Sequence, residues 1–372
     1  MKKGGAHRRY LSLGIIMLVL VAGGTGYVTM GMRLFEKYHL ANANYQIAPL
    51  GPCGTLITWS PPKTVYTGLY VNQPSLLSLR FRSSTPQELH ISVSVPHFTQ
   101  VQMIEAQAAP AFQDLSFKPP LLDNTVLDAL VSPGQRDAQI ELHVESDSAA
   151  PCDTTVPVKL MSRQYMHWYD PATGTDNSPY LAGWVTPHAP VIADLIGRSA
   201  QWLQQHSGSY PGTSSLFGYG AGDASPQDVT NQINAIFDTL QLVYHVSYAQ
   251  DNIPYSLDAE QRIKLPQDVL SARYPTGMCV ETTAILASAA EALGMRAFFV
   301  LVPGHVFLGV ALGAGTNAPI GYWETSDLNG GVSGNQAHVH GNNEYTSYAA
   351  QGQIQKVIDI QYERTQGIEP IE

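Results

Sequence analysis

Three side chains along one stretch of the chain could together carry nucleophilic chemistry: Cys279, His305 26 residues later, and Glu324 19 residues beyond that. A cysteine attacks a carbonyl as its thiolate, an imidazole within reach takes the thiol proton and returns it to the leaving group, and an acid orients the imidazole and steadies its charged form. Each residue alone has a plainer reading. Free cysteine is among the most buried residue types, a histidine at a strand end can simply satisfy a carbonyl, and a strand glutamate usually faces water. Order and spacing together tip the balance toward chemistry. Asp327 is the second choice for the acid.

The elements around these residues are arranged to position them. Residues 278–293 are helix formers apart from Val280, Thr282, Thr283 and Ile285, and Gly294 supplies a stop. Ile285, Leu286, Ala289 and Leu293 form the stripe expected to be buried. Cys279 then stands in the first turn, where the dipole and unpaired N–H groups favour a thiolate and can also serve a developing oxyanion. Gly277 lets backbone and substrate approach each other. Ala297–Val302 reads as a buried strand, Pro303-Gly304 breaks it, and residues 305–312 resume with His305 at the strand end. After the turn Thr316-Asn317-Ala318-Pro319, residues 320–325 form a strand carrying Glu324.

Further upstream, residues 191–205 suit a helix. Ser225-Pro226 opens another, with Val229, Ile233, Ile236, Phe237, Leu240 and Val243 on one face. A side chain from residues 225–244 is expected to complete the oxyanion site. Residues 267–272 read as a short helix, and the Gly/Ser-rich residues 207–224 as a tolerated insertion. His338, His340 and Glu344 imitate a metal set, but they fall in a Gly/Asn-rich stretch read as a solvated loop. No calcium-loop spacing occurs, so neither metal nor other cofactor is expected.

Residues 46–162 have a different character. Leu77–Arg82, residues 88–95 and residues 138–145 alternate apolar and polar side chains, and residues 156–160 look like a closing strand. Turn-forming breaks between such runs suggest an immunoglobulin-like β-sandwich. Residues 106–129 are less regular and read as a long loop or edge segment. Residues 170–190 look like a domain junction.

Residues 10–32 are uncharged and long enough to span a bilayer, behind a basic tail at 1–9. The positive-inside tendency leaves the tail in the cytoplasm and the body outside, as a single-pass membrane protein. A cleaved signal peptide and a twin-arginine signal are the rival readings, and in every case the body is exported. Residues 1–40 carry a net charge of +5, so the remaining chain carries −15 of the total −10. Such an acidic body has no footprint for a phosphate backbone, which argues against nucleic-acid partners. In an exported chain cysteines tend to pair. A Cys53–Cys152 disulfide closing the β-rich region and two unrelated free thiols both fit. On the first view Cys279 is the odd thiol left reactive.

The order of a helix cysteine, a strand histidine and a following strand acid resembles the transglutaminase-like superfamily. Gly277-Met278-Cys279-Val280-Glu281 is similar to its Gly-x-Cys-x-Asp/Glu signature, Pro303-Gly304-His305-Val306 to the histidine segment of its bacterial branch, and Trp323-Glu324-Thr325 to its Trp/Asp-Thr segment. Trp184-Val185-Thr186-Pro187 and Ile358-Asp359-Ile360 also look like strings of bacterial membrane-anchored members. The resemblance covers residues 180–365. It implies an α+β fold, a papain-like transglutaminase core preceded by an N-terminal transmembrane helix and an all-β immunoglobulin-like sandwich. It further implies acyl transfer through a thioester on a Cys279–His305–Glu324 triad, with a peptide or protein amide as substrate and hydrolysis favoured over crosslinking. Two departures stand out: Glu replaces the commoner Asp, and the intervals are compact. One alternative is a catalytically silent scaffold binding a cell-envelope peptide or protein partner. Another is a cell-wall Cys/His endopeptidase, whose third group is commonly His or Asn and which Glu324 therefore disfavours.

Overall fold

The computed structural model describes residues 48–49, 56–59, 61–147, 149–170, 174–220, 222–249, 260–328 and 331–371. In chain order the first part holds β1 (Ala48–Pro49), β2 (Leu56–Trp59), β3 (Thr64–Tyr66), a one-turn helix α1 (Thr67–Tyr70), β4 (Leu77–Arg82), β5 (Gln87–Ser94), β6 (Gln102–Ala108), β7 (Gln113–Phe117), a second one-turn helix α2 (Thr125–Asp128), β8 (Gln135–Ser146) and β9 (Ala149–Met161). They form a four-stranded sheet, β1-β2-β4-β7, and a five-stranded sheet, β3-β9-β8-β5-β6.

The alternation explains which side chains turn inward. Leu77, Leu79 and Phe81 of β4 are buried while Ser78, Arg80 and Arg82 are exposed. Leu89, Ile91 and Val93 of β5 join Ile140, Leu142 and Val144 of β8 in the same core. Each such fully buried side chain contributes roughly 1.5–3 kcal/mol against exposure. Residues 106–129, read as a long loop or an edge segment, contain the end of β6 and all of β7, which are edge strands of the two different sheets, together with α2. The pattern of β6 is hard to read in sequence because it exposes apolar side chains such as Met103.

The second part holds β10 (Tyr165–His167), a 3-10 helix (Ser178–Trp184), α3 (Pro190–Gln205), α4 (Pro226–Leu242), β11 (Ser247–Tyr248), β12 (Glu260–Arg262), α5 (Pro266–Leu270), β13 (Thr276–Gly277), α6 (Cys279–Ala292), β14 (Ala297–Val302), β15 (His305–Ala311), β16 (Ile320–Trp323), α7 (Gly334–Ala350), β17 (Lys356–Asp359) and α8 (Ile360–Thr365). Its main sheet is antiparallel, in the order β16-β15-β14-β17. Phe299, Leu301, Val306, Leu308 and Val310 join the main core together with α6, in which Cys279–Ala290 are all buried. Val300, Val302, Phe307 and Tyr322 form a second cluster, covered by Tyr345 and Tyr348 of α7. The protein is thus of mixed α+β class.

The two parts meet in a packed seam. Strand β10, leaving the first part, pairs with β12. Arg163 binds Asp128 on α2 at 2.5 Å and Asp268 on α5 at 3.3 Å. Leu181, Ala182, Trp184 and Val185 are fully buried, and Trp184 Nε1 donates to the Ile263 carbonyl at 3.0 Å. The Asn72 side chain exchanges hydrogen bonds with the Glu369 backbone, donating at 2.9 Å and accepting at 2.8 Å. Leu181, Ala182, Trp184, Val185 and Ala189, from the stretch read in sequence as a junction, therefore belong to one connected apolar core that runs from Trp59 to Ile371.

The basic tail (1–9), the expected anchor (10–32) and Cys53 lie outside the described residues. Among the described residues no helix is long and apolar enough to cross a membrane. Cys152 is disulfide-bonded and Cys279 is free.

Candidate active site

Cys279 is delivered by β13, which pairs in parallel with β11 and places Gly277 beside Tyr248. Helix α6 then begins at Cys279 itself. Glu281, third in the helix, folds back so that Oε2 accepts from the Met278 N–H at 3.0 Å and Oε1 accepts from the Lys264 N–H at 2.8 Å. The Lys264 ammonium stands 3.3 Å away. Burial pushes the Glu281 carboxyl up, and these bonds from Lys264 and Met278 oppose it. The acid two residues after the cysteine therefore fixes the backbone just before it. The Cys279 carbonyl accepts from Thr282 Oγ1 at 3.1 Å and from Thr325 Oγ1 at 3.2 Å. Thr325 thus ties the start of α6 to the residue following Glu324.

His305 is set by the tightest loop in the sheet. Val302 pairs with His305 in register, leaving only Pro303 and Gly304 to turn the chain. Proline fixes the first corner, and Gly304 adopts φ +72°, which a side chain would oppose. Strand β16 ends at Trp323, held by its Nε1 donating to Asn234 Oδ1 on α4 at 2.8 Å. Glu324 lies one residue beyond the strand, where Oε1 caps a following 3-10 turn (Thr325–Asp327) by accepting from the Ser326 N–H at 2.7 Å.

These supports bring the three sequence-predicted residues together. His305 Nε2 lies 3.0 Å from Glu324 Oε1 and 2.9 Å from Oε2. That leaves the other ring nitrogen free of Glu324, and the ring also interacts with Cys279. Burial opposes charging the ring, but the bonds with Cys279 and Glu324 and the charges of both outweigh it and raise His305 to about 10. Burial likewise opposes ionising Glu324. Its bonds with His305, Glu344 and Ser326 and the imidazolium charge overcome that cost and hold the carboxyl well below its ordinary range. Cys279 is 0% and Glu324 7% exposed, so these interactions act in a poorly solvated setting.

Asp327, the second choice for the acid, turns away and pairs with His340 at 2.7 Å. The stretch containing His338, His340 and Glu344 is helix α7 rather than a loop. Ser333 starts it with a reciprocal cap to Gln336. Its three candidate ligands diverge: His338 Nδ1 meets the Tyr322 carbonyl at 3.0 Å and its ring lies over Trp323, His340 takes Asp327, and Glu344 joins His305 and Glu324. The nitrogen and carboxylate atoms of His305, Glu324 and Glu344 lie within 4.8 Å of one another, a spacing that also admits a small cation.

Helix α4 departs from expectation as well. It is buried on every side, and its polar residues hold neighbouring segments. Gln232 Oε1 accepts from the Phe217 and Gly218 N–H groups, and Asp238 accepts from Tyr210 Oη and from the Gly334 N–H. Residues 207–220, read as a tolerated insertion, are pinned in this way. Asn234, in the segment expected to supply an oxyanion donor, uses its oxygen to hold Trp323.

No protein-family model matches the chain, and no curated protein or solved structure matches it significantly.

Proposed function

We propose that this chain is a transglutaminase-like thiol enzyme, with a papain-like core behind an immunoglobulin-like sandwich, acting on peptide amides through Cys279, His305 and Glu324. One observation carries the reading: His305 Nε2 pairs with the Glu324 carboxylate at 2.9 and 3.0 Å while the same ring interacts with the buried Cys279. In the proposed cycle His305 takes the thiol proton and Cys279 Sγ attacks the amide carbonyl carbon. First-turn N–H groups of α6 face the oxyanion that forms. Collapse breaks the C–N bond, the amine leaves with the proton from His305, and a thioester remains on Sγ. Water, deprotonated by His305, then attacks the thioester carbon, returning the acid and the thiol. A primary amine in place of water gives a new amide. The charge pattern of the first 40 residues supports an anchored, extracytoplasmic setting for this chemistry, with the peptide or protein amide as the only partner besides the membrane.

The experiment is alkylation of the three-cysteine chain by iodoacetamide, followed by a screen for peptide-amide hydrolysis against amine incorporation. Cys279, the free thiol among the described residues, is expected to react faster than glutathione at the same neutral pH, His305→Ala to lose that advantage, and Cys279→Ala to lose all turnover. Equal labelling of the wild type and His305→Ala removes the case for an activated pair. A second reading, a silent scaffold binding a cell-envelope peptide, draws on the complete burial of the Cys279 side chain. Peptide binding that survives in Cys279→Ala, with no turnover by the wild type, would select it.

A further inference from the structure

Two carboxylates beside one imidazole leave an excess of negative charge unless something lies between them. Carboxylate oxygens of Glu344 and Glu324 lie within 4.8 Å of each other and of a His305 ring nitrogen, and the two carboxyls interact. A carboxylate pair has no hydrogen to share, so one member must carry a proton or a cation must bridge them. We infer that Glu344 is a positioning residue that keeps its own proton and donates it to Glu324, holding that carboxylate against His305. The inference extends the thiol-enzyme reading above and rests on it for its catalytic consequence.

Three features of the fold support a proton in that place. First, α7 is docked closely enough to deliver Glu344. A Cβ on Gly341 would lie 2.6 Å from Trp323 N and Tyr322 C, so only glycine permits this approach. Glu344 follows three residues later, close to the same face of the helix. Asn342 Oδ1 accepts from the Tyr322 N–H at 3.3 Å and the Glu324 N–H donates to the Ala337 carbonyl at 3.0 Å, which fixes the docking on either side. Second, the charged groups acting on Glu344 are Glu324 at the end of β16, Asp327 in the 3-10 turn and His305 on β15. Only His305 is a cation, and it is already engaged by Glu324. Within α7, Tyr348 is a neutral neighbour of Glu344 whose hydroxyl burial pushes up, and His340 is taken up by Asp327. From α4, Asp238 binds the Gly334 N–H in the first turn of α7, ten residues before Glu344. Third, a metal ion would need a bare nitrogen, whereas Nε2 of His305 must hold a hydrogen to donate to Glu324. Burial first, then the bond and charge of Glu324, raise the Glu344 carboxyl far above its ordinary range. Glu324 is held low and Glu344 high, which places the shared proton on Glu344.

The test uses the full chain and reads the carboxyl directly. In a Cys279→Ala background, infrared difference spectra at neutral pH are expected to show a protonated-carboxyl C=O band that vanishes in alkali. The band should be absent from the same protein carrying Glu344→Gln. In the Cys279-containing chain, Glu344→Ala is expected to slow iodoacetamide alkylation of Cys279 about tenfold at neutral pH. Glu344→Gln, which still donates a hydrogen bond, should restore the rate to within about threefold and flatten the pH profile where Glu344 ionises. Absence of the band, or its persistence in Glu344→Gln, overturns the inference. So does equal loss in Gln and Ala. Stoichiometric zinc binding that is lost in Glu344→Gln would assign the site to a cation instead and also overturns it. Because the band is read without the thiol, its presence together with indifferent alkylation of His305→Ala would sink the enzyme reading while leaving the shared proton in place.

Discussion

The sharpest consequence of the site concerns Glu324→Gln. This change keeps the size of the side chain and an oxygen for the Ser326 N–H, but removes the charge facing His305. Burial alone would make the His305 imidazolium less favourable than in water, yet the ring is raised from 6.5 to about 10. At about 1.4 kcal/mol per tenfold change in proton affinity, the surroundings favour the charged ring by ~5 kcal/mol. Cys279 and Glu324 share that effect through one hydrogen bond and one charge each. Assigning roughly half to Glu324, its neutralisation should cost ~2–3 kcal/mol of imidazolium stabilisation, or a fall of roughly 30–150-fold in any rate that needs the ion pair. The assay is twofold. Ring-nitrogen NMR on histidine-labelled protein, assigned by His305→Ala, should show His305 titrating about two pH units lower in Glu324→Gln. The iodoacetamide rate at neutral pH should fall in step. A His305 that titrates unchanged in the variant, or an alkylation rate within about threefold of wild type, would refute the claim that Glu324 stabilises the charged ring.

Three further outcomes are expected. Glu281→Ala leaves the Met278 and Lys264 N–H groups buried without their acceptor and should destabilise the fold by ~2–4 kcal/mol in urea denaturation. A loss below about 1 kcal/mol would mean water replaces the carboxylate easily. Gly341→Ala forces a methyl into the β16 backbone and should cost ~1–3 kcal/mol by the same measurement, while also lowering the Cys279 alkylation rate. Unchanged stability would show that α7 can shift outward freely. The third outcome concerns pH. Because His305 is raised, its pairing stabilises the folded state in full below the unfolded value of about 6.5, and the contribution fades as pH rises through about 10. Glu324 is lowered, so its contribution is present above its ordinary range and is lost only as pH falls well below it. The melting-temperature advantage of wild type over His305→Gln should therefore shrink between about pH 6.5 and 10, and a constant difference would contradict the pairing.

Much of the site was legible because local rules and tertiary structure agreed there. Gly294 ends α6 near where the sequence places its stop, Ser225 and Asp228 cap α4 reciprocally, and Pro303-Gly304 turns β14 into β15 with His305 first on the new strand. The β4 and β5 patterns read correctly because one face of each is buried. The failures came where packing overrode composition. Residues 334–343 include two glycines and three asparagines, poor helix formers, yet they are helical because Gly334 and Gly341 are what let α7 lie against α4 and β16. Read as a loop, the stretch groups Glu344 with two nearby histidines rather than with Glu324, 20 positions earlier and just past the end of β16. The sequence marks one apolar face of α4, whereas Gln232, Asn234 and Asp238 on the rest of it are also buried and act as internal tethers. No periodicity distinguishes a solvated Gln from one that holds a loop.

The tether between Asn72 and the Glu369 backbone also bears on when the site can form during synthesis. Residues of the first part emerge first and can pair their strands early, since domains generally fold from the N-terminal side as the chain appears. The sheet that carries His305 lacks β17 until residue 359 is available, and Asn72 waits for residue 369. Both come later in the chain than Cys279, His305, Glu324 and Glu344. A nascent chain stalled just past Glu344 would thus hold every reactive group while lacking the strand beside β14 and the tail that ties the second part to the first. If Cys279 is the proposed nucleophile, reactivity toward a thiol probe should appear abruptly with the last segments rather than in proportion to length, making assembly of the core a timer for the site.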